Sequence, residues 1–533
     1  MGKVMLGRCF VLRGSLRKVW GLALAAIAVA VLCAFLSGCS NAESESNEKT
    51  LVYGTTGYGV EMDDAGLNPH SAYSGWSAVR YGVGETLFKF SDSMEPEPWL
   101  ATSYEFLDET HCRIVLRTDV DFTSGRHMDA VSVKECLDGL LSTHDRAPSD
   151  TKIVDVEADQ DANAITIETS EPVPSLINYL CDPYAAIIDM QMGVTADGNV
   201  CGTGPYVAQS VSDTQIVLVK NESYWNGQPH MDKVVVVSVT DGDTLTAALQ
   251  SGEINACYGL PYASYGLFSD ESKYTIASCN GSRTFFGQVN YASEIMQDGA
   301  VRKALAMGID RQGFVQTLLN GRGEVATGAF PGNMAIGQNA LGGSEYNPEL
   351  AKQVLEQAGW VDSDGDGIRE KDGRKLIVRW LTYPGRMELP LLAEYAQATL
   401  REIGMDVQVN STANHTQVRK DSSAWDVYAS ALVSAPAGDP EYFFGATCLS
   451  DSSKNFGGYS NSQLEVLAAQ LSTEFDAEKR SQIASQMQKI LLDDGGYFFV
   501  SHLTMGIVSQ ANVTGLSLHP CDYYEITVDL DMN

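Results

Sequence analysis

A mixed α/β protein is predicted by three features of the 533-residue chain. Short β-branched runs recur between segments of helical period. No repeat, low-complexity block or basic tract interrupts residues 51–533. The composition (44% apolar, 20% charged, with 49 Gly and 17 Pro) is that of an ordinary globular protein, which excludes wholesale disorder. Short strands alternating with helices argue for mixed α/β lobes. The length asks for roughly three domain-sized units or two large lobes.

The first element is a leader. Residues 1–18 carry Lys3, Arg8, Arg13, Arg17 and Lys18 and no acid, and residues 19–36 are uncharged and mostly apolar. That run is long enough for a membrane span. Its basic start, Ala-rich core and small residues before Cys39 read instead as a secretory signal peptide. Leu36-Ser37-Gly38-Cys39 matches the bacterial lipobox, which makes residues 1–38 the signal peptide and Cys39 the lipidated first residue. Residues 39–50 are polar, as a tether between lipid and domain would be. Cleavage there leaves 495 residues and, with five basic side chains gone, deepens the formal net charge from −32 to −37. So acidic a chain is not built to bind nucleic acid or an anionic membrane through charge. The expected place is the outer face of the cell membrane or the periplasm, with attachment through the lipid.

Strands are predicted at residues 110–116 (THCRIVL), 164–168 (AITIE), 215–220 (QIVLVK), 233–239 (KVVVVSV) and 375–381. Helices are predicted at 300–319, with Gly321 as a stop, and at 347–359, with Pro348 just inside and Gly359 at the end. Two more are predicted at 390–404 and 476–492.

Of the 11 cysteines, Cys9 and Cys33 leave with the leader and Cys39 takes the lipid. Eight remain, and their pairing is open. No Cys-x-x-Cys occurs, and the histidines are never closer than 16 residues, so neither a zinc ribbon nor a zincin pair has support. Gly-x-Ser-x-Gly and Gly-x-x-x-x-Gly-Lys-Ser/Thr are both missing. The chain reads as a binding protein rather than an enzyme, with no cofactor required. Asp362, Asp364 and Asp366 begin like an EF-hand loop, but Gly373 stands at position twelve, where the bidentate Glu belongs. An acidic β-turn is the preferred reading, with a weak calcium site as the alternative.

Residues 85–100 (ETLFKFSDSMEPEPWL) resemble the extracytoplasmic solute-binding proteins of the peptide/nickel class of ABC importers, the family 5 type. The resemblance continues in order through 116–122, 125–133, Gly202-Thr203-Gly204-Pro205-Tyr206, 221–233 (NESYWNGQPHMDK), 249–259, 300–310 and 472–491. Gly202 and Gly204 are read as easing a turn. Trp99, Tyr224 and Trp225 are read as packing anchors.

The resemblance implies a two-lobed periplasmic-binding-protein-like clamshell with mixed sheets. Lobe I would be discontinuous, 51–282 plus 499–533, with an inserted subdomain near 87–200, and lobe II would be 283–498. A ligand would lie between them, where closure strips water from it and presents a shape that a permease distinguishes. The implied partners are a peptide or metal-chelate ligand and an ABC permease and ATPase complex, served by a monomer.

Peptide binders of the family hold the free α-amine with an aspartate that falls on Pro436 here, so Asp439 or Asp182 would have to substitute. Leu67-Asn68-Pro69-His70, Ala435-Pro436 and residues 368–373 resemble the nickel branch. Its arginine before a proline is Asp182 here, its tryptophan is Val433, and no histidine follows Asp439 before His502. A chelate held by its organic part is therefore easier to defend than direct metal ligation. Position and chemistry select Tyr58, His70, Tyr73, Tyr184, Arg283 at the hinge, Tyr383, Arg386, Ser434, Asp439 and Tyr442 as cleft residues. Arg386 or Arg146 would fork onto a ligand carboxylate. Peptide sensing without import and extracytoplasmic hydrolysis stand as the alternative functions.

Overall fold

In a computed structural model, residues 48–57, 66–337 and 345–533 are described. The leader, Cys39, most of the tether and Tyr58 lie outside the described residues. The chain enters on β1 (Thr50–Thr55) and α1 (Ser74–Arg80). A hairpin, β2 (Phe88–Phe90) and β3 (Pro96–Pro98), leads into a four-stranded antiparallel sheet. Its strands are β4 (Ala101–Phe106), β5 (His111–Leu116), β6 (Ile153–Asp159) and β7 (Ala164–Thr169), and α2 (Ala130–Thr143) packs against it. Alternating burial along β5 is what a sheet with one covered face requires. A capping box starts α2: Asp129 accepts from Ser132 N at 2.9 Å, and Ser132 Oγ accepts from Asp129 N at 2.8 Å.

The next strands are β8 (Tyr206–Val211), β9 (Gln215–Lys220), β10 (Lys233–Ser238) and β11 (Ala256–Tyr258), with α3 (Gly242–Ser251) between the last two. Beyond them run β12 (Tyr274–Val289), α4 (Gly299–Gly308), β13 (Gly323–Val325) and α5 (Pro348–Gln357). A small hairpin, β14 (Glu370–Lys371) and β15 (Arg374–Lys375), precedes β16 (Ile377–Thr382). Then come α6 (Glu388–Arg401), β17 (Asp406–Ser411), β18 (Val427–Val433), α7 (Glu441–Thr447), α8 (Ser462–Leu471), α9 (Ala477–Asp494) and β19 (Tyr497–Gln510).

Eleven strands form one mixed sheet in the order β17-β16-β18-β12-β19-β11-β1-β10-β9-β8, with β13 paired to β19. Two groups of strands meet on the long pair β12–β19. Residues 274–280 of β12 pair with 504–510 on the side of β11 and β1. Residues 284–288 pair with 497–502 on the side of β18, and the register shifts between Asn280 and Thr284. A bulge of this kind bends and twists a strand pair where it crosses from one group to the next.

The largest apolar cluster joins the first half of the chain to the buried faces of α7, α8 and α9. A second gathers α4, α6 and β16–β18. No helix among the described residues is long and apolar enough to cross a membrane.

Two expectations are corrected. The helix predicted over 300–319 is broken: α4 stops at Gly308, and Asp310 caps a new turn by accepting from Gly313 N at 2.8 Å. Gly308 packs so close to α6 that a Cβ there would stand 2.7 Å from Leu400 and Ile403. Gly202 and Gly204 are not in left-handed conformations. They are glycine because a Cβ would meet the Val83 carbonyl at 2.1 Å and the Gly82 carbonyl at 2.3 Å.

Candidate functional site

The shared motifs of the first half converge on one carboxylate. Glu85 is fully buried and accepts from Thr203 Oγ1 at 2.8 Å, Tyr224 Oη at 2.6 Å and Trp225 Nε1 at 2.8 Å. Burial pushes its carboxyl up to about 7 while the three donors pull it down. The GTGPY and YW segments are therefore fastened to the strand entry at Glu85, which is a structural duty. A hollow of about 570 Å³ lies against this network, lined by Glu85, Trp99, Tyr224, His519 and Tyr524 among others. None of the residues selected from the sequence lines it.

Those residues fall into three groups. The first surrounds Arg146, whose guanidinium lies 5.1 Å from the Tyr73 ring and 5.3 Å from the Tyr184 ring. It donates to Asp182 at 3.1 Å, and Asp182 also accepts from Tyr184 N at 3.1 Å, capping the short turn Pro183–Ala185. Trp76 packs edge-on against Tyr73 and tilted against Tyr523, with ring centroids 5.7 and 5.8 Å apart. The second is at the strand crossing. Arg283 is half-buried, and its guanidinium has no hydrogen bond or ion pair among the described residues. Burial and the neighbouring charge of Arg386 lower its pKa, against the pull of Tyr258, Asp522 and Glu388. Arg386 is exposed and likewise unpaired among the described residues. Glu388 accepts from Tyr262 at 2.7 Å. Tyr383 stacks on His415 at 4.3 Å and accepts from Ala431 N at 3.3 Å.

In the third group Ser434, Asp439 and His70 are buried and Tyr442 is half-buried. Ser434 is fully buried and donates to the Ser282 carbonyl at 3.0 Å. Asp439 accepts from Arg480 Nε at 3.0 Å and Nη2 at 2.7 Å. Tyr442 accepts from Lys454 at 3.0 Å. His70 is buried with Nε2 3.6 Å from Cys136 Sγ, and burial together with His144 brings its pKa down to about 4. It serves the packing of α2.

Contacts tie the first half of the chain to the second around these groups. Asn178 donates to the Ala437 carbonyl at 2.9 Å, and Ala335 N to the Ser93 carbonyl at 3.2 Å. Tyr523, from the segment after β19, packs its ring on Trp76 with centroids 5.8 Å apart and donates to the Pro436 carbonyl at 3.4 Å. Sequence reasoning missed Trp76, Arg80, Asp522, Tyr523 and Glu525. The last three sit on an irregular segment after β19, where no periodicity marks them.

The acidic turn differs from its expected ligand set. Asp362, Asp364 and Glu370 bring carboxylate oxygens within 4.8 Å of one another, while Asp366 pairs with Lys375. Lys375 also reaches Asp364 at 3.0 Å, and Asp362 accepts from Gly365 N and Gly367 N at 2.8 and 3.0 Å. A lysine ammonium thus already serves as the counter-charge.

The sequence model of the bacterial extracellular solute-binding proteins, family 5, matches residues 95–455. The nickel-binding protein NikA of Staphylococcus aureus is 26% identical over 94% of this chain and 97% of its own. The nickel-binding periplasmic protein of Escherichia coli is 25% identical over 85% of this chain and 90% of its own. Among solved structures, a nickel ABC transporter protein from Bacillus halodurans superposes with a TM-score of 0.80 at 27% identity, over 91% of this chain and all of that one. The S. aureus NikA structure in complex with Ni(L-His)2 has a TM-score of 0.70 at 24% identity, over 91% and 100%.

Proposed function

The chain belongs to the bacterial extracellular solute-binding proteins of family 5, and on that premise we propose that it captures a carboxylate-bearing metal chelate between two lobes and hands it to an ABC importer. Its work is binding, not catalysis. One observation carries the ligand class: Arg283 and Arg386 lie within each other's field with no carboxylate partner among the described residues. The acids that would hold a peptide's α-amine, Asp182 and Asp439, are occupied by Arg146 and Arg480. A site with spare arginines, whose candidate amine anchors are both already paired, favours an anionic chelate over a free peptide. The nickel-binding relatives support the same reading. The lobe limits at 282/283 and 498/499, the lipid on Cys39, the permease and ATPase partners and the position beside the membrane complete the proposal.

Calorimetric titration with nickel(II)–L-histidine (1:2) and with trialanine tests it. The chelate is expected to bind and trialanine to bind far more weakly. Arg283→Ala and Arg386→Ala should each weaken the chelate by about tenfold or more, the worth of one charge-assisted hydrogen bond. Equal affinity for the chelate in both variants would remove the arginines from the site, and tighter trialanine binding would overturn the ligand class.

A further inference from the structure

The segment 519–526 carries two buried carboxylates on one guanidinium. Arg80, in α1, donates from Nη2 to Asp522 Oδ2 at 2.7 Å and from Nε to the Asp522 carbonyl at 2.9 Å. Its Nε lies 3.6 Å from Glu525 Oε1. Tyr53, in β1, donates to Glu525 Oε2 at 2.5 Å. One oxygen of each acid is left over: Asp522 Oδ1 and Glu525 Oε1 are buried and accept from no donor. The two carboxyl groups are in hydrogen-bonding range of each other. Two bare acceptors facing one another repel, whereas a proton between them makes a strong O–H···O⁻ bond. Burying two negative carboxylates side by side is also expensive, and one shared proton halves that charge. Asp522 is also at φ 67°, in the left-handed region that Asp and Asn enter more readily than other non-glycine residues. Around the pair stand Arg80 at the end of α1, Tyr53 of β1, and Cys521 and Tyr523 of the segment itself, and Asp522 feels the charge of Arg283 on β12.

We propose that Asp522 and Glu525 share one proton between Oδ1 and Oε1, and that this proton keeps Arg283 available to a ligand carboxylate. The second half rests on the ligand reading above; the first does not. With the proton in place, the two acids carry one negative charge between them instead of two. Without it, a negative charge appears beside Arg283, draws that guanidinium inward and repels an incoming anion. Ligand affinity therefore falls as pH rises. Burial sets both acids above the ordinary carboxylate range, which places the fall above that range as well.

The test uses the full chain in detergent. Infrared difference spectra should show a protonated carboxyl band that Glu525→Gln and Asp522→Asn each remove; asparagine tolerates the left-handed backbone at that position. Titration with nickel(II)–L-histidine (1:2) across about pH 6 to 9 should show affinity falling about tenfold more in the wild type than in either variant. The variants are the reference, because the chelate itself titrates. A spectrum without a band removed by either substitution overturns the shared proton. The band with parallel pH profiles overturns the coupling to Arg283. The band with no chelate binding at any pH refutes the ligand reading and the coupling with it, and the shared proton stands.

Discussion

At Glu85, donors from two distant motifs meet on a carboxylate that water does not reach. Glu85→Leu would strand three buried donors, each costing about 1–3 kcal/mol, so a loss of more than about 3 kcal/mol is expected in urea unfolding. Glu85→Gln keeps an acceptor and should cost far less. The pH dependence has a definite sign. The folded pKa of about 7 stands above the ordinary 4.5, so the folded chain holds this proton more tightly. The associated stability is complete below about pH 4.5 and is lost as pH rises through 7, by up to about 3 kcal/mol. The wild type minus Glu85→Gln difference should trace that loss, and a flat difference would contradict it. The sequence made the motifs visible as fold markers, but their meeting point was hidden, because Glu85 is far from Thr203 and Tyr224 along the chain. Arg283 was selected by its position along the chain; that its guanidinium has no ion pair among the described residues depends on where Glu388 and Asp522, more than 100 positions further on, place their carboxylates.

Among elements, the strand pair β12–β19 decides how the two groups of strands are joined. Gly287 faces the Phe498 ring across this pair, and a Cβ there would stand 2.0 Å from the ring. Phe498 in turn packs on Trp380 with ring centroids 5.6 Å apart, so it has little room to retreat. Gly287→Ala should therefore destabilise by about 1–3 kcal/mol through overpacking. Urea midpoints would show it, and an unchanged midpoint would mean that the ring moves freely. Most elements were legible from local pattern: residues 215–220 match β9, and the predicted helix starts at 347 and 476 fall on capping residues Asn347 and Asp476. The break after Gly308 was not, because apolar spacing continues through 309–319 while the close approach of α6 and the Asp310 cap override it. The meaning of Gly202 and Gly204 escaped for a similar reason, since the backbone they touch belongs to residues more than 100 positions earlier.

For the whole molecule, the mixed α/β architecture followed from alternation of strand and helix patterns, and the two-lobed arrangement from ordered motifs. The state of the cysteines followed from neither. An extracytoplasmic location permits disulfides, yet all eight cysteines from Cys112 to Cys521 are free. Cys112, Cys136, Cys181, Cys257 and Cys448 are buried, while Cys201, Cys279 and Cys521 are partly exposed. Burial pushes the thiols of Cys112, Cys136, Cys257 and Cys448 up to about 12 and that of Cys279 to about 11, so little thiolate forms near neutrality. These cysteines act as small apolar side chains in cores built from other contacts. Two consequences can be measured together. A reductant should leave the melting temperature unchanged, because no cross-link restrains the unfolded chain. Alkylation of the native protein near neutral pH, followed by peptide mapping, should modify Cys201 first and leave the five buried cysteines untouched until denaturant is added. A melting temperature that drops on reduction, or an early label on Cys136 or Cys448, would show that the buried thiols are paired or exposed and that the cores around them are wrongly drawn.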